Sequence, residues 1–184
     1  MDYRIFRVRR DYKVSPRTGR EHDFFVMDCP DWVNVVALTP DRQIVLIEQY
    51  RHGTNAFELE IPGRVMDPED PSPIAAGVRE LREETGFVGD HARILCHVRP
   101  NPAFMSNTCH TVLVEDCRCL HGIELDHGED VATRLTPVDQ LPALIASGAI
   151  RHSLVVVALH HFERWQRERA LATPGTGGPA SSPR

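Results

Sequence analysis

The residues best placed to do chemistry are crowded into Arg79-Glu80-Leu81-Arg82-Glu83-Glu84. On a helix, Glu80, Glu83 and Glu84 fall within about 100° of one another. Carboxylates at i, i+3 and i+4 repel, so helix stability alone does not favour this placement. Clustered hard oxygens suit Mg²⁺ or Mn²⁺, which bind to a few carboxylates and complete their shells with water and substrate phosphates. The competing reading is a solvated acidic face partly neutralised by Arg79 and Arg82. In either case the opposite stripe, Ile74, Val78 and Leu81, is the one expected to be buried, leaving the carboxylates on a surface or cleft.

The elements that must position this cluster are legible on both sides of it. Apolar residues at Ile74, Gly77, Val78 and Leu81 have helical spacing over 71–85. Ser72-Pro73 supplies an N-cap and a first-turn proline, and Gly86 a C-terminal stop. Upstream, alternation at 5–9 and the DFFVM run at 23–27 predict two strands around a turn at 15–19. Trp32 to Leu38 and Ile44 to Glu48 read as a hairpin across Thr39-Pro40-Asp41. Downstream, 110–114 and 131–135 read as strands, Pro137 opens a short helix ending near Gly148, and 152–169 reads as the last helix. The end, from Thr173 to Arg184, is rich in Pro, Gly and Ser and reads as a disordered tail.

Composition narrows the classes of function. The chain has 184 residues, Lys+Arg 21 against Asp+Glu 26, and a net charge of −5. The acidic balance argues against nucleic acid as a partner. Hydrophobic content of 41% and charged content of 26% are those of a globular domain. No apolar run is long enough for a membrane span, and the first residues lack a signal-peptide core. Five cysteines without framework spacing suggest reduced thiols and a cytoplasmic setting. Cys117-x-Cys119 lacks the two-residue gap of common zinc knuckles.

The segment Arg79-Glu80-Leu81-Arg82-Glu83-Glu84-Thr85-Gly86-Phe87 resembles the second half of the Nudix box, R-E-apolar-x-E-E-x-G-apolar, at every defined position. Glu60-Ile61-Pro62-Gly63 resembles the strand-to-loop entry of that box. Gln49-Tyr50-Arg51-His52-Gly53 resembles the QYR-x-G segment of the ADP-ribose pyrophosphatase branch, and Pro102, 16 residues after Gly86, also fits that branch. The likeness runs from about Val33 to Phe162. It implies an α/β/α Nudix sandwich with a mixed sheet over 32–170, a small N-terminal antiparallel sheet over 1–31 that dimerises, and a tail over 171–184. The first half of the box departs from the pattern. Gly63 and Glu69 satisfy G-x5-E, but nine residues instead of seven then precede Arg79. In the other register Arg64 replaces the glycine and Asp70 the glutamate.

The resemblance also implies a reaction, the hydrolysis of a nucleoside diphosphate linked to a second group. ADP-ribose, giving AMP and ribose 5-phosphate, is the favoured substrate; another nucleotide sugar, a dinucleotide, or a catalytically impaired nucleotide-sensing module are the alternatives. Mg²⁺, or Mn²⁺, would sit on Glu80, Glu83, Glu84 and the carbonyl of Gly63. Glu83 and Glu84 would be catalytic, and Glu129, in the acidic loop 124–130, would be the general base, with Asp130 second. Arg51 is a candidate phosphate contact, since guanidinium grips phosphate bidentately. Glu58 and Glu60 could reach adenine or ribose; one is expected to face outward, and Glu60 is preferred because it abuts the box. Phe104, in the 101–107 loop, is a candidate for shaping the pocket around the second half of the substrate. Arg79 is expected to hold the glutamates through an ion pair with Glu83. A homodimer follows by analogy.

Overall fold

Alternation along two strands sets the architecture of the computed structural model, which describes residues 5–125 and 130–172. An N-terminal hairpin, β1 (Arg7–Val14) and β2 (Glu21–Asp28), precedes β3 (Trp32–Ala37), β4 (Gln43–Arg51), β5 (Ala56–Glu60) and β6 (Gly63–Val65). Helix α1 (Pro73–Thr85) follows, then β7 (Phe87–Val88), β8 (His91–Val98), β9 (Cys109–Glu115), β10 (Arg118–Cys119) and β11 (Val131–Pro137). A short 3₁₀ turn leads into α2 (Leu141–Ala146), and α3 (Ser153–Ala172) ends the described chain.

A four-stranded sheet has the order β6-β3-β9-β8, with β3 and β9 parallel and the outer pairs antiparallel. A three-stranded antiparallel sheet, β11-β4-β5, lies beside it. Because successive side chains point to opposite faces, β3 feeds two cores. Val33, Val35 and Ala37 pack with Val112, Val114 and the α1 residues Ala76 and Leu81. Val36 turns the other way, joining Leu113 and the α3 residues Val155, Ala158, Leu159 and Phe162. The result is a mixed α/β sandwich with α1 and α3 on opposite faces, the expected fold class.

Helix α1 starts and stops where its sequence predicts. The Ser72 hydroxyl accepts a hydrogen bond from the Ala75 amide at 3.2 Å, and Gly86 adopts φ 73° while donating to the Arg82 carbonyl at 2.8 Å. The His121 carbonyl would lie 2.2 Å from a Cβ at Gly86, so this cap has no room for another residue.

Five strands have no counterpart in the sequence reading, β5, β6, β7, β8 and β10, and the hairpin expected between β3 and β4 is reduced to the single bridge Leu38–Ile44, because the two strands join different sheets. The polar His91, Arg93 and His97 and a register shift between Ile94 and Cys96 interrupt the alternation of β8. The buried face of α1 is also different from the expected one. Ile74 and Val78 are only half-buried, while Glu80 and Glu84 are 1% and 3% exposed. The cause is β6. It covers the flank of α1, and the Gly63 amide donates to Glu84 Oε2 at 3.1 Å.

Candidate active site

The site is assembled from a strand side and a helix side. On the strand side, β4 and β5 pair with Arg51 opposite Ala56 and Gln49 opposite Glu58. Residues two apart on a strand share a face, so Ala56, Glu58 and Glu60 look the same way as Arg51. This corrects the expectation that one glutamate points outward: Glu58 is 5% and Glu60 3% exposed. Each has its own arginine. Arg51 donates from Nε and Nη2 to the two oxygens of Glu60 at 2.9 and 2.8 Å. Arg151, just before α3, donates from Nε and Nη2 to Glu58 at 2.8 and 2.9 Å, and the Thr54 hydroxyl adds a third bond at 2.9 Å. The hydrogen bonds from Arg151, then that from Thr54, hold the Glu58 carboxyl below the usual range. The bond to Glu60 likewise raises the pKa of Arg51, with the nearby charge of Glu84 contributing.

On the helix side one arginine serves several carboxylates. Arg79 meets Glu83 at 2.9 Å and Glu80 at 2.7 Å through Nη1, and Asp70 at 3.0 Å and Asp67 at 3.1 Å through Nη2. Its pKa is raised, the bond to Asp70 being the main cause. Burial pushes the Asp70 carboxyl up, but Arg79 outweighs it and the net shift is down. Asp70 is thus the loop acid that locks onto the helix, while Glu69 is exposed. Gly63 in turn occupies the tight position: a Cβ there would lie 2.6 Å from the Val33 carbonyl oxygen. Arg64 follows it, with Nε 4.0 Å from Glu80 Oε1.

The strand side, together with Gly63 and Arg64 of β6, borders a cavity of about 830 Å³, whose lining includes no residue of α1. Its polar end carries Arg51, Glu58, Glu60, Gly63, Arg64 and Arg151, and its apolar wall includes Trp32, Met105 and Leu154. Asn34 also lines it; this side chain is 7% exposed, and its Oδ1 accepts no hydrogen bond among the described residues. Phe104 does not line the cavity and is 44% exposed; its carbonyl anchors the Met27 amide at 2.7 Å, and the neighbouring Met105 faces the cavity instead. Glu83 is half-buried between Arg79 and Arg82. Glu129 lies outside the described residues, and Asp130 is exposed.

The donor set is all hard oxygen, which suits a divalent cation of the Mg²⁺ type. Among the described residues, however, no three His, Cys, Asp or Glu side chains converge into a ready metal cage. Glu80 and Glu83 are drawn onto arginines instead. Loading a cation therefore means drawing carboxylates away from guanidinium partners. All five cysteines are free thiols. Burial pushes Cys109 and Cys117 up to about 12, so neither is a thiolate near neutral pH.

Sequence reasoning missed Arg64, Arg151, Asn34 and Trp32 as cavity residues. The same-face spacing of Glu58 and Glu60 was a signal that two cations were needed. Nothing local points to Arg151, which is 93 residues from its partner.

Comparison with known proteins places this geometry in context. The NUDIX domain model matches residues 30–157. The methanol dehydrogenase activator of Bacillus methanolicus is 29% identical over 136 residues, covering 73% of this chain and 72% of that protein. The ADP-ribose pyrophosphatase of Mycobacterium tuberculosis is 26% identical over 159 residues, covering 84% and 75%. Among solved structures, that of an ADP compounds hydrolase superposes with a TM-score of 0.74 at 21% identity over 92% of this chain and 98% of its own, a likeness of fold.

Proposed function

We infer the reaction from one premise: this chain belongs to the Nudix family, whose domain model spans most of its length. It is a hydrolase of phosphoanhydrides, and its substrate is a nucleoside diphosphate carrying a second group, ADP-ribose in the favoured case. Water attacks one phosphorus of the diphosphate, the bridging P–O bond breaks, and AMP and ribose 5-phosphate leave.

The observation that carries this reading is the burial of Glu80 and Glu84 on α1, with Glu84 accepting from the amide of Gly63, a residue that lines the cavity. Burying two carboxylates on one helix is costly for folding alone, so their placement answers to chemistry. A bound divalent ion, Mg²⁺ in this reading with Mn²⁺ as the alternative, supplies positive charge against the diphosphate and acidifies the attacking water. Glu80, Glu83, Glu84 and the Gly63 carbonyl are the groups that would hold it. Arg79 keeps Glu83 and Glu80 oriented along the helix. Arg51 binds Glu60 through Nε and Nη2 and lines the cavity, where its guanidinium would also meet a phosphate oxygen. Glu129 is the proposed base that takes the proton of the attacking water.

The test is incubation with ADP-ribose and Mg²⁺, scored for AMP release, beside other nucleotide sugars and dinucleotides. Preferential turnover of ADP-ribose supports the reading, and turnover of another member of the panel moves the substrate. Saturable binding without products would make the chain a nucleotide-sensing module.

The same reading includes a homodimer formed through the N-terminal hairpin. Its pairing puts Tyr12, Val14 and Phe25 on one face, where Tyr12 is 75% and Phe25 64% exposed. Apolar patches of this kind mark interaction surfaces. Deleting the first 30 residues should convert a dimer to a monomer in sedimentation; a monomeric intact chain refutes the dimer.

A further inference from the structure

One face of β3 runs from the core into the cavity. Val36 packs with Leu113 and with Val155 and Phe162 of α3. Asn34 and Trp32, two and four residues earlier, share that face. There the helix no longer covers the sheet: both residues line the cavity, with Leu154 from the start of α3 at its wall. Across the sheet, Asn34 is paired with Thr111 on β9 and Gly63 on β6, and the glycine brings no side chain over it. Asn34 is buried, yet its Oδ1 accepts no hydrogen bond among the described residues. A buried amide without a partner costs folding free energy. Leucine has much the same shape without that cost, so the amide points to a group that only a ligand brings.

We propose that Trp32 and Asn34 form the nucleobase subsite: the base lies on the indole face of Trp32, and the Asn34 amide pairs with its edge. The proposal rests on the hydrolase reading above and adds which end of the substrate enters the cavity. No residue of α1 lines the cavity, so the diphosphate sits at its rim, beside Arg51. The wall of Trp32, Met27, Met105 and Leu154 suits a flat ring better than a hydroxyl-rich pentose. Residues two apart on a strand stand about 6–7 Å from each other, so a base stacked on Trp32 has an edge within reach of Asn34. Stacking on an aromatic side chain typically strengthens binding by about 5–150-fold and does not choose between bases. Choice comes from the amide. Asparagine presents a donor beside an acceptor, the complement of the adenine edge, where an amino group lies next to a ring nitrogen.

The experiment uses the intact chain and three probes that carry no diphosphate to cleave, with binding read by calorimetry. They are AMP, purine riboside 5′-monophosphate, which lacks the amino group, and ribose 5-phosphate, which lacks the base. The wild type should bind AMP at least about 10-fold more tightly than ribose 5-phosphate, with the purine probe in between. Trp32→Leu should lose about 10-fold for both base-bearing probes and nothing for ribose 5-phosphate. Trp32→Phe keeps an aromatic face and should stay within about threefold of the wild type, which separates stacking from a folding defect. Asn34→Leu should bind AMP no better than the purine probe, and its urea midpoint should rise because the unpaired amide is gone. An asparagine that only supports the fold gives the opposite result, a lower midpoint with the preference for AMP intact. Three results overturn the subsite and leave the hydrolase reading standing: a wild type that binds AMP no more tightly than ribose 5-phosphate, a Trp32→Phe variant as weak as Trp32→Leu, or an Asn34→Leu variant that still prefers AMP. If the wild type also turns over none of the nucleotide sugars and dinucleotides, the hydrolase reading falls with it.

Discussion

The strand side and the helix side of the site use the same residue types to opposite effect. On β4 and β5 each carboxylate has its own arginine, Glu60 with Arg51 and Glu58 with Arg151, in paired bidentate contacts. Around α1 one arginine, Arg79, is divided among Asp67, Asp70, Glu80 and Glu83. The first arrangement is balanced and needs no further cation. The second, even with Arg64 near Glu80 and Arg82 near Glu83, has more carboxylates than arginines, which is where the proposed divalent ion would sit. Charge ratio, more than charge content, separates the part suited to grip an anion from the part suited to hold a metal.

The largest test of that division is Glu84→Gln, which keeps the shape and removes one negative charge from the helix side. Turnover should fall at least about 100-fold, with the circular dichroism spectrum unchanged. Near-normal turnover would remove Glu84 from the metal set. Gly63→Ala strikes the seam between the two sides, where the added Cβ meets the Val33 carbonyl at 2.6 Å. A loss of about 1–3 kcal/mol in urea unfolding is expected; a neutral result would mean that β6 gives way easily. Arg51→Ala acts on the strand side, so it should raise KM about 10-fold while changing kcat little. A fall confined to kcat would put Arg51 with the helix group.

The smallest effect concerns acid stability. Because its carboxyl is held below the ordinary value of 4.5, Glu58 contributes stability that is fully present above that value and is lost as pH falls through the lower folded one. The urea midpoint of the wild type should therefore exceed that of Glu58→Gln by a constant margin above pH 4.5, and the margin should close on further acidification. A margin that persists at pH 3 would show that packing, not charge, separates the two proteins.

Much of the helix side is readable from neighbouring residues. The spacing of Glu80, Glu83 and Glu84, the Ser72 cap and the Gly86 stop all lie within one short stretch, and the helical period links them. The strand side is less legible because its partners are far apart in the chain. The i, i+2 rule does place Glu58 and Glu60 together, against the outward-facing expectation, but Arg151 arrives only when α3 docks on the sheet. The loop before α1 is a third case. Sequence leaves Glu69 and Asp70 as rivals; the folded loop turns Asp70 onto Arg79 and leaves Glu69 in solvent.

What the sequence determined by itself is whatever obeys a local period: α1 with its ends, the strands of the N-terminal hairpin, the α/β class and the presence of an acidic cluster. Only the tertiary structure decided that β6 buries Glu80 and Glu84 against the expected polarity of α1, and that Arg64 lines the cavity within 4.0 Å of Glu80. The reason is physical. A period is set by the backbone within a few residues, whereas burial and ion pairing depend on which distant surface closes over a side chain.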